Sequence, residues 1–303
     1  MKRIKVGVIG CGVMGGFHVK QYRNIPTVDL VGAADIDQDK APIGIKFYKD
    51  YKELLDIVDA VSITTPTSTH YKIGMDALRC GCHVIIEKPI AETVGQGRKL
   101  AETAREKRLV FSVGLIERFN PAFVGLISEL GRKTPDLIDI KRMSPFPKRM
   151  TDVSCVFDMM IHDIDLSIKL AKSEVKYINA AGKKIRTKKL DTAVAVLVFK
   201  NGVVANIEAS RVHSEKVRRI VVARDASTYE ADLLNRKIRK ITSGKHKKLK
   251  VDNYDQLNHE LKDFISAIST HRKPTVTGKD GLYALDIARK TEELAARHKC
   301  WYQ

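Results

Sequence analysis

Over the first third of the chain, short apolar runs alternate with stretches of helical periodicity. The runs Ile4–Ile9, Leu30–Ala34, Ala60–Thr64, Val84–Glu87 and Leu109–Val113 are four to six residues long. Their length and apolar character read as buried strands. Between them, helical patterns extend from Val13 to about Asn24, from Thr69 to Arg79 and from Glu92 to Lys107. Strands that alternate with helices predict an α/β fold, a Rossmann-type doubly wound parallel sheet covered on both faces, over residues 1–118.

Beyond Pro121 the pattern changes. A helix is predicted over Pro121–Leu130, a strand over Leu137–Arg142 and a helix from Val156 to about Leu170, after which strands dominate. Ala193–Phe199 and Val203–Ala209 flank Asn201-Gly202, a dipeptide that tolerates positive φ at both positions and so predicts a two-residue hairpin turn. Further strands fall at Val217–Ala223 and Thr228–Asp232, and helices at Gln256–Thr270 and Asp280–His298. Residues 119–303 thus read as an α+β domain with a large, mostly antiparallel sheet. The last helix is amphipathic and is expected to pack on a domain, with Trp301 as a packing anchor. A length of 303 residues accommodates both domains.

With 44% hydrophobic and 30% charged residues, the chain can build a core and lacks the composition of a disordered protein. Its formal net charge of +18 favours a polyanionic partner. Nucleic acid, an anionic membrane, a nucleotide cofactor and a phosphorylated substrate all qualify. The five cysteines are scattered, without the paired spacings of a disulfide framework or a zinc ribbon. Cys80-Gly81-Cys82 reads as a turn before a strand, no metal is expected, and a reducing, cytoplasmic setting is the simplest expectation. The basic start followed by an apolar run imitates a signal peptide, but the run is short and glycine-rich and no small-residue cleavage site follows. No stretch approaches the roughly 18 apolar residues of a membrane span.

Candidate chemistry begins at Gly10-Cys11-Gly12-Val13-Met14-Gly15, which follows a strand and opens a helix. Asp35 ends the next strand, 20 residues beyond Gly15. That context makes the pattern a dinucleotide fingerprint. Gly10 allows the tight turn, Gly12 the approach of backbone to a pyrophosphate and Gly15 the close packing of helix on sheet, while Asp35 accepts the ribose hydroxyls. Ile36 and Asp37 follow, so no arginine is offered to a 2′-phosphate, and NAD is expected over NADP. Thr64-Thr65-Pro66-Thr67-Ser68-Thr69-His70 follows a strand end where ligands gather; its hydroxyls line the cofactor cleft or cap the next helix, through Ser68 or Thr69. Lys88, in Glu87-Lys88-Pro89, precedes a proline and should project extended from a strand end, as a solvated charge or a buried electrostatic element. Asp158 and His162 are four apart on a predicted helix and share a face, in reach of proton-transfer chemistry or as an ordinary first turn.

In order and spacing, the glycine fingerprint, Thr64-Thr65-Pro66 with His70, Glu87-Lys88-Pro89 and Asp158-x-x-x-His162 resemble the glucose-fructose oxidoreductase and inositol dehydrogenase (Gfo/Idh/MocA) family along essentially the whole chain. Glu117-Arg118-Phe119-Asn120-Pro121 and the stretch from Arg142 to Asp152 resemble the branch that oxidises UDP-linked N-acetyl amino sugars at the 3-hydroxyl. The resemblance implies an NAD-dependent oxidoreductase in which Lys88, Asp158 and His162 are catalytic and bind substrate. Val13, Met14, Thr65, Pro66, His70, Glu87 and Lys88 would join the glycines and Asp35 around the cofactor. Arg118, Arg142 and Arg149 would lie near a substrate diphosphate or stand as surface charge, Asn120 would bind substrate, the C-terminal helices would lean on the dinucleotide domain, and the protein would be a homodimer or homotetramer. A dehydrogenase of a free sugar or polyol is the alternative. Ser154-Cys155-Val156-Phe157 and Met159-Met160 stand where family members often carry glycines. From a different class comes nucleic-acid binding by the runs Lys183–Lys189 and Arg236–Lys250, but these lack interleaved aromatics and read as solvated hairpins.

Overall fold

The computed structural model describes residues 3–147 and 152–297. Arg149 and Trp301 lie outside the described residues. The chain divides into two compact units, one comprising residues through Ile116 with Asp255–Tyr283, the other Glu117–Tyr254 with the residues from Ala284 onward.

The first unit carries a six-stranded sheet of β1 (Ile4–Ile9), β2 (Val28–Ala34), β3 (Lys46–Tyr48), β4 (Ala60–Ile63), β5 (His83–Glu87) and β6 (Phe111–Gly114), in the order β3-β2-β1-β4-β5-β6. Every pairing in it is parallel. The strand order reverses beside β1, which makes the crevice at its carboxyl end the expected ligand position. The helices are α1 (Val13–Tyr22), α2 (Tyr51–Leu55), α3 (Thr67–Arg79) and α4 (Val94–Glu106). β3 and α2 are too short to leave a periodic signature in the sequence. Thr93 starts α4 with a capping box closed by Gln96, two residues later than the sequence pattern predicts.

This unit also claims α7 (Gln256–Ser269), which the sequence pattern assigns to the second domain. Leu257, Leu261, Phe264, Ile265 and Ile268 form one buried cluster with Val6, Val8, Val19 and Tyr22. Heptad-like spacing shows that a helix has an apolar face, and says nothing of which sheet covers it. α8 (Gly278–Arg297) is divided, belonging to the first unit through Tyr283 and to the second from Ala284.

The second unit contains α5 (Pro121–Leu130), capped by Asn120, and α6 (Ile161–Ala171). Its eight strands are β7 (Leu137–Met143), β8 (Val175–Lys183), β9 (Thr192–Phe199), β10 (Val204–Ser210), β11 (Val217–Arg224), β12 (Ser227–Asp232), β13 (Lys237–Thr242) and β14 (Lys245–Leu249). They lie in the order β14-β13-β12-β11-β7-β10-β9-β8, and all pairings are antiparallel except β7 with β10. On β9, Ala193, Ala195, Leu197 and Phe199 are buried while Val194 and Val196 are exposed. The turn between β9 and β10 differs from the predicted two-residue form. Gly202 alone has positive φ (+89°), Gly202 N–H donates to the Phe199 carbonyl and Phe199 N–H to that of Val203, the three-residue form closed by a left-handed glycine.

Both basic runs take part in the fold of the second unit. Lys183–Lys189 wraps around Asp191, whose carboxylate accepts the N–H groups of Ile185, Arg186 and Thr187 and the Nε–H of buried Arg211 at 2.8 Å. Burial works to raise the Asp191 pKa, but these donors hold it well below the usual carboxylate range. Arg236–Lys250 forms the hairpin β13–β14, and β14 is the edge of its sheet. Lys245, Lys247 and Lys248 there discourage pairing with another strand. No helix of the described residues is long and apolar enough to cross a membrane.

Candidate active site

In the first unit the glycine loop has the shape its fingerprint predicts. Gly10 has φ of +94°, and a Cβ there would lie 2.8 Å from the Thr64 carbonyl carbon. A Cβ on Gly15 would stand 1.9 Å from the Gly10 oxygen, so only glycine lets α1 sit this close to the turn. A Cβ on Gly12 would meet nothing within 4 Å, which marks the side from which a ligand can approach the backbone. α1 starts without a side-chain cap and without an acidic residue in its first turn. Its first N–H groups and positive dipole end suit a pyrophosphate. Val13 is exposed and Met14 half-buried beside them.

Asp35 closes the far side. Its Oδ2 accepts the Cys11 N–H at 2.7 Å and its Oδ1 the Asp37 N–H at 3.0 Å, so the carboxylate is fixed in place at the end of β2. Burial, followed by the Asp35 charge, pushes the Cys11 thiol up to about 11, which keeps it protonated. Gly10, Gly12, Asp35, Thr64, Thr65 and Pro66 line one cleft of about 530 Å³. Lys40, Lys49 and Lys72 line it too. These lysines are scattered in sequence, and only the fold gathers them. An uncapped helix end, a glycine cradle and an anchored carboxylate fit a nicotinamide dinucleotide.

The threonine-rich loop serves the cleft more than the helix. Pro66 occupies the N-cap of α3 without a side-chain bond, so neither Ser68 nor Thr69 caps it. Thr64 Oγ1 donates to the Gly10 carbonyl at 2.6 Å, and Thr69 Oγ1 donates to Thr65 Oγ1 at 2.7 Å. His70 is buried, with Nδ1 2.8 Å from the Pro89 oxygen and Nε2 2.8 Å from the Thr65 oxygen. Burial lowers its pKa against the pull of those two carbonyls. It ties the loop to the Glu87-Lys88-Pro89 corner. At that corner Lys88 is half-buried, the Lys88–Pro89 peptide is cis, and the Glu87 carboxylate packs over Gly114, where a Cβ would come within 3.0 Å of it.

In the second unit, Val156–Met160 forms one π-helical turn leading into α6, where the sequence pattern predicts continuous α-helix. Asp158 lies in that turn and His162 just beyond it, both half-buried. Single π turns recur at functional sites, and no apolar periodicity announces one. Beneath them lies a charge lattice. Arg118 binds Asp165 through Nε and Nη2, both at 2.6 Å, and Arg142 binds Asp163 at 2.7–3.0 Å and Glu117 at 2.8 Å. Asn120 donates to Glu117 at 3.1 Å and to the Leu233 carbonyl at 3.0 Å. Burial alone would raise the Glu117 pKa, but Arg142 and Arg218 bring it below the ordinary value. The side chains of Arg118 and Arg142 are 3% and 5% exposed. Both guanidiniums are buried and engaged by carboxylates of their own unit, where the sequence reading expects a diphosphate. Arg218, which sequence reasoning missed, is the exposed guanidinium of the lattice, 43% accessible and 3.0 Å from Glu117.

A dinucleotide cleft at a reversal of strand order and a partner unit built on a large mixed sheet define a nicotinamide-dependent oxidoreductase. The family profile described as "Oxidoreductase family, NAD-binding Rossmann fold" matches residues 4–115, and that of the GFO/IDH/MocA C-terminal domain matches residues 133–230. The chain belongs to the Gfo/Idh/MocA oxidoreductase family. It is similar to UDP-N-acetylglucosamine 3-dehydrogenase of Acidithiobacillus ferrooxidans, at 32% identity over 95% of this chain and 96% of that one. A solved structure of that enzyme superposes with a TM-score of 0.93 over 98% of this chain and 99% of that chain. Myo-inositol 2-dehydrogenase of Thermotoga maritima is 27% identical over 93% of both chains. The chain is accordingly an NAD(P)-dependent dehydrogenase acting on CH–OH groups.

Proposed function

We propose that the chain oxidises a secondary hydroxyl of a sugar to the ketone, and that the substrate is a UDP-linked N-acetyl amino sugar oxidised at its 3-hydroxyl. The observation that carries this reading is the end-to-end likeness, in both sequence and fold, to a UDP-N-acetylglucosamine 3-dehydrogenase. Bound in the cleft, a nicotinamide dinucleotide supplies the hydride acceptor. Asp35 favours NAD over NADP, because its fixed carboxylate would repel a 2′-phosphate. His162 takes the proton of the sugar hydroxyl, Lys88 holds the oxygen and its developing negative charge, and Asp158 orients His162 or binds a neighbouring hydroxyl. Arg218 supplies an accessible guanidinium for a diphosphate.

A free sugar or polyol is the second reading, favoured by the likeness to an inositol dehydrogenase. Purified protein offered NAD with UDP-sugars, free sugars and inositols separates the two. Product ketone with UDP-N-acetylglucosamine and none with inositols is expected, and Lys88→Met should lower kcat by about a thousandfold. Turnover of inositols alone would transfer the function to the second reading.

The setting we propose is a cytoplasmic homo-oligomer. Cys11, Cys80, Cys82 and Cys155 are free, and Tyr177, Val194 and Val196 are exposed on β8 and β9. Light scattering giving a dimer or tetramer mass is the expected result.

A further inference from the structure

The Lys88 corner is held from behind by a buried chain of polar side chains that the reaction itself does not use. Tyr22 and His18 project from α1, one turn apart, and Ser62 from β4; all three are at most 1% exposed. Tyr22 Oη lies 2.7 Å from Ser62 Oγ, His18 Nδ1 lies 3.1 Å from the same Ser62 oxygen, and His18 Nε2 lies 3.3 Å from Glu87 Oε1. The other oxygen of that carboxylate accepts the Lys88 N–H at 3.3 Å. Burial keeps the Tyr22 phenol protonated. An Nε2–H aimed at the Glu87 carboxylate leaves Nδ1 to accept from the Ser62 hydroxyl and Ser62 to accept from the Tyr22 phenol, an order of donors that the three distances permit.

We propose that His18, its tautomer set by Tyr22 and Ser62, is a positioning residue that fixes Glu87 through its Nε2–H and thereby holds Lys88 in place. The proposal rests on Lys88 acting as read above, but its first test does not. Other titratable groups around the corner are His70 on α3, bonded to the Pro89 carbonyl, and Glu260 and Asp263 on α7, whose charges bear on Glu87 or on each other. None of these replaces the Nε2 donor, because neither Glu260 oxygen is hydrogen-bonded, the Asp263 carboxylate is taken up by Arg272 and Thr275, and the His70 nitrogens face other carbonyls.

Two substitutions divide the histidine. His18→Gln keeps a donor near the Nε2 position, whereas His18→Asn keeps one only near Nδ1. Amide hydrogen exchange at Lys88, followed by NMR in the whole protein, should run about tenfold faster in His18→Asn and stay near wild type in His18→Gln. Tyr22→Phe, which frees the tautomer, should fall between them. With a sugar that is turned over, His18→Asn should lower kcat while KM is kept, and His18→Gln should restore kcat. Equal Lys88 exchange in wild type and His18→Asn, or the same defect in both variants, would overturn the proposal. If no sugar is oxidised by wild type while the exchange pattern holds, the functional reading falls and the positioning role stands.

Discussion

Charged and hydrogen-bonding groups crowd the site regions of both units, yet they are satisfied in different ways. In the first unit, the start of α1 has no cap, Gly12 faces open space, and Asp35 is braced by backbone at the edge of a cleft. In the second, Arg118, Arg142, Glu117, Asp163 and Asp165 are buried and bonded to one another. The first arrangement leaves donors for a ligand. The second spends the donors of Arg118 and Arg142 on its own carboxylates, which is evidence about rigidity rather than recognition, while Arg218 stays accessible at its edge.

The largest effect that tests this contrast is Arg142→Met. It leaves Asp163 and Glu117 buried beside an apolar chain, and should cost about 3–5 kcal/mol in chemical denaturation. Unchanged stability with a raised KM for UDP-sugar would make Arg142 a ligand and dissolve the contrast. Next comes the pair of glycines in the first unit. Gly12→Val should keep the melting temperature and weaken NADH binding by about a hundredfold, because the new side chain fills only the approach. Gly15→Ala should instead disturb the fold itself, since its Cβ would meet the Gly10 oxygen at 1.9 Å. Equal losses of stability in both would erase the distinction between ligand side and packing side.

The smallest effect concerns Glu260 on α7, which is buried with neither carboxyl oxygen hydrogen-bonded. Burial first, then the charges of Glu87 and Asp263, raise its pKa well above 4.5. The folded chain therefore keeps a proton that the unfolded chain releases, and stability falls as pH rises from the unfolded pKa toward the folded one. Glu260→Gln should flatten that fall, leaving thermal stability near pH 4 unchanged and raising it near pH 8. A parallel pH profile in both proteins would show that Glu260 has a partner in solution.

Sequence reading reached the contrast only halfway. The glycine loop was legible because its function demands glycines at fixed places after a strand, and Asp35 because distance along a βαβ unit fixes where the second strand ends. Lys40, Lys49 and Lys72 were not, since nothing local in them refers to a nucleotide. Arg118 and Arg142 look like phosphate ligands in sequence because the fork that binds phosphate also binds carboxylate. Only the packing shows that Asp165 and Asp163 face them. The π turn at Val156–Met160 stayed hidden for a related reason, and the place of α7 beside the first sheet is implied by the family resemblance and not by its own periodicity. Apolar spacing reports a face and not its partner.

The measurement that bears most directly on the whole account uses UDP-N-acetylglucosamine carrying deuterium at C3 of the sugar. With NAD and the purified chain, the deuterium is predicted to appear in the reduced nicotinamide, with a 3-keto sugar nucleotide as the other product. Reduced cofactor without deuterium, or no reduction while an inositol is oxidised, would contradict it.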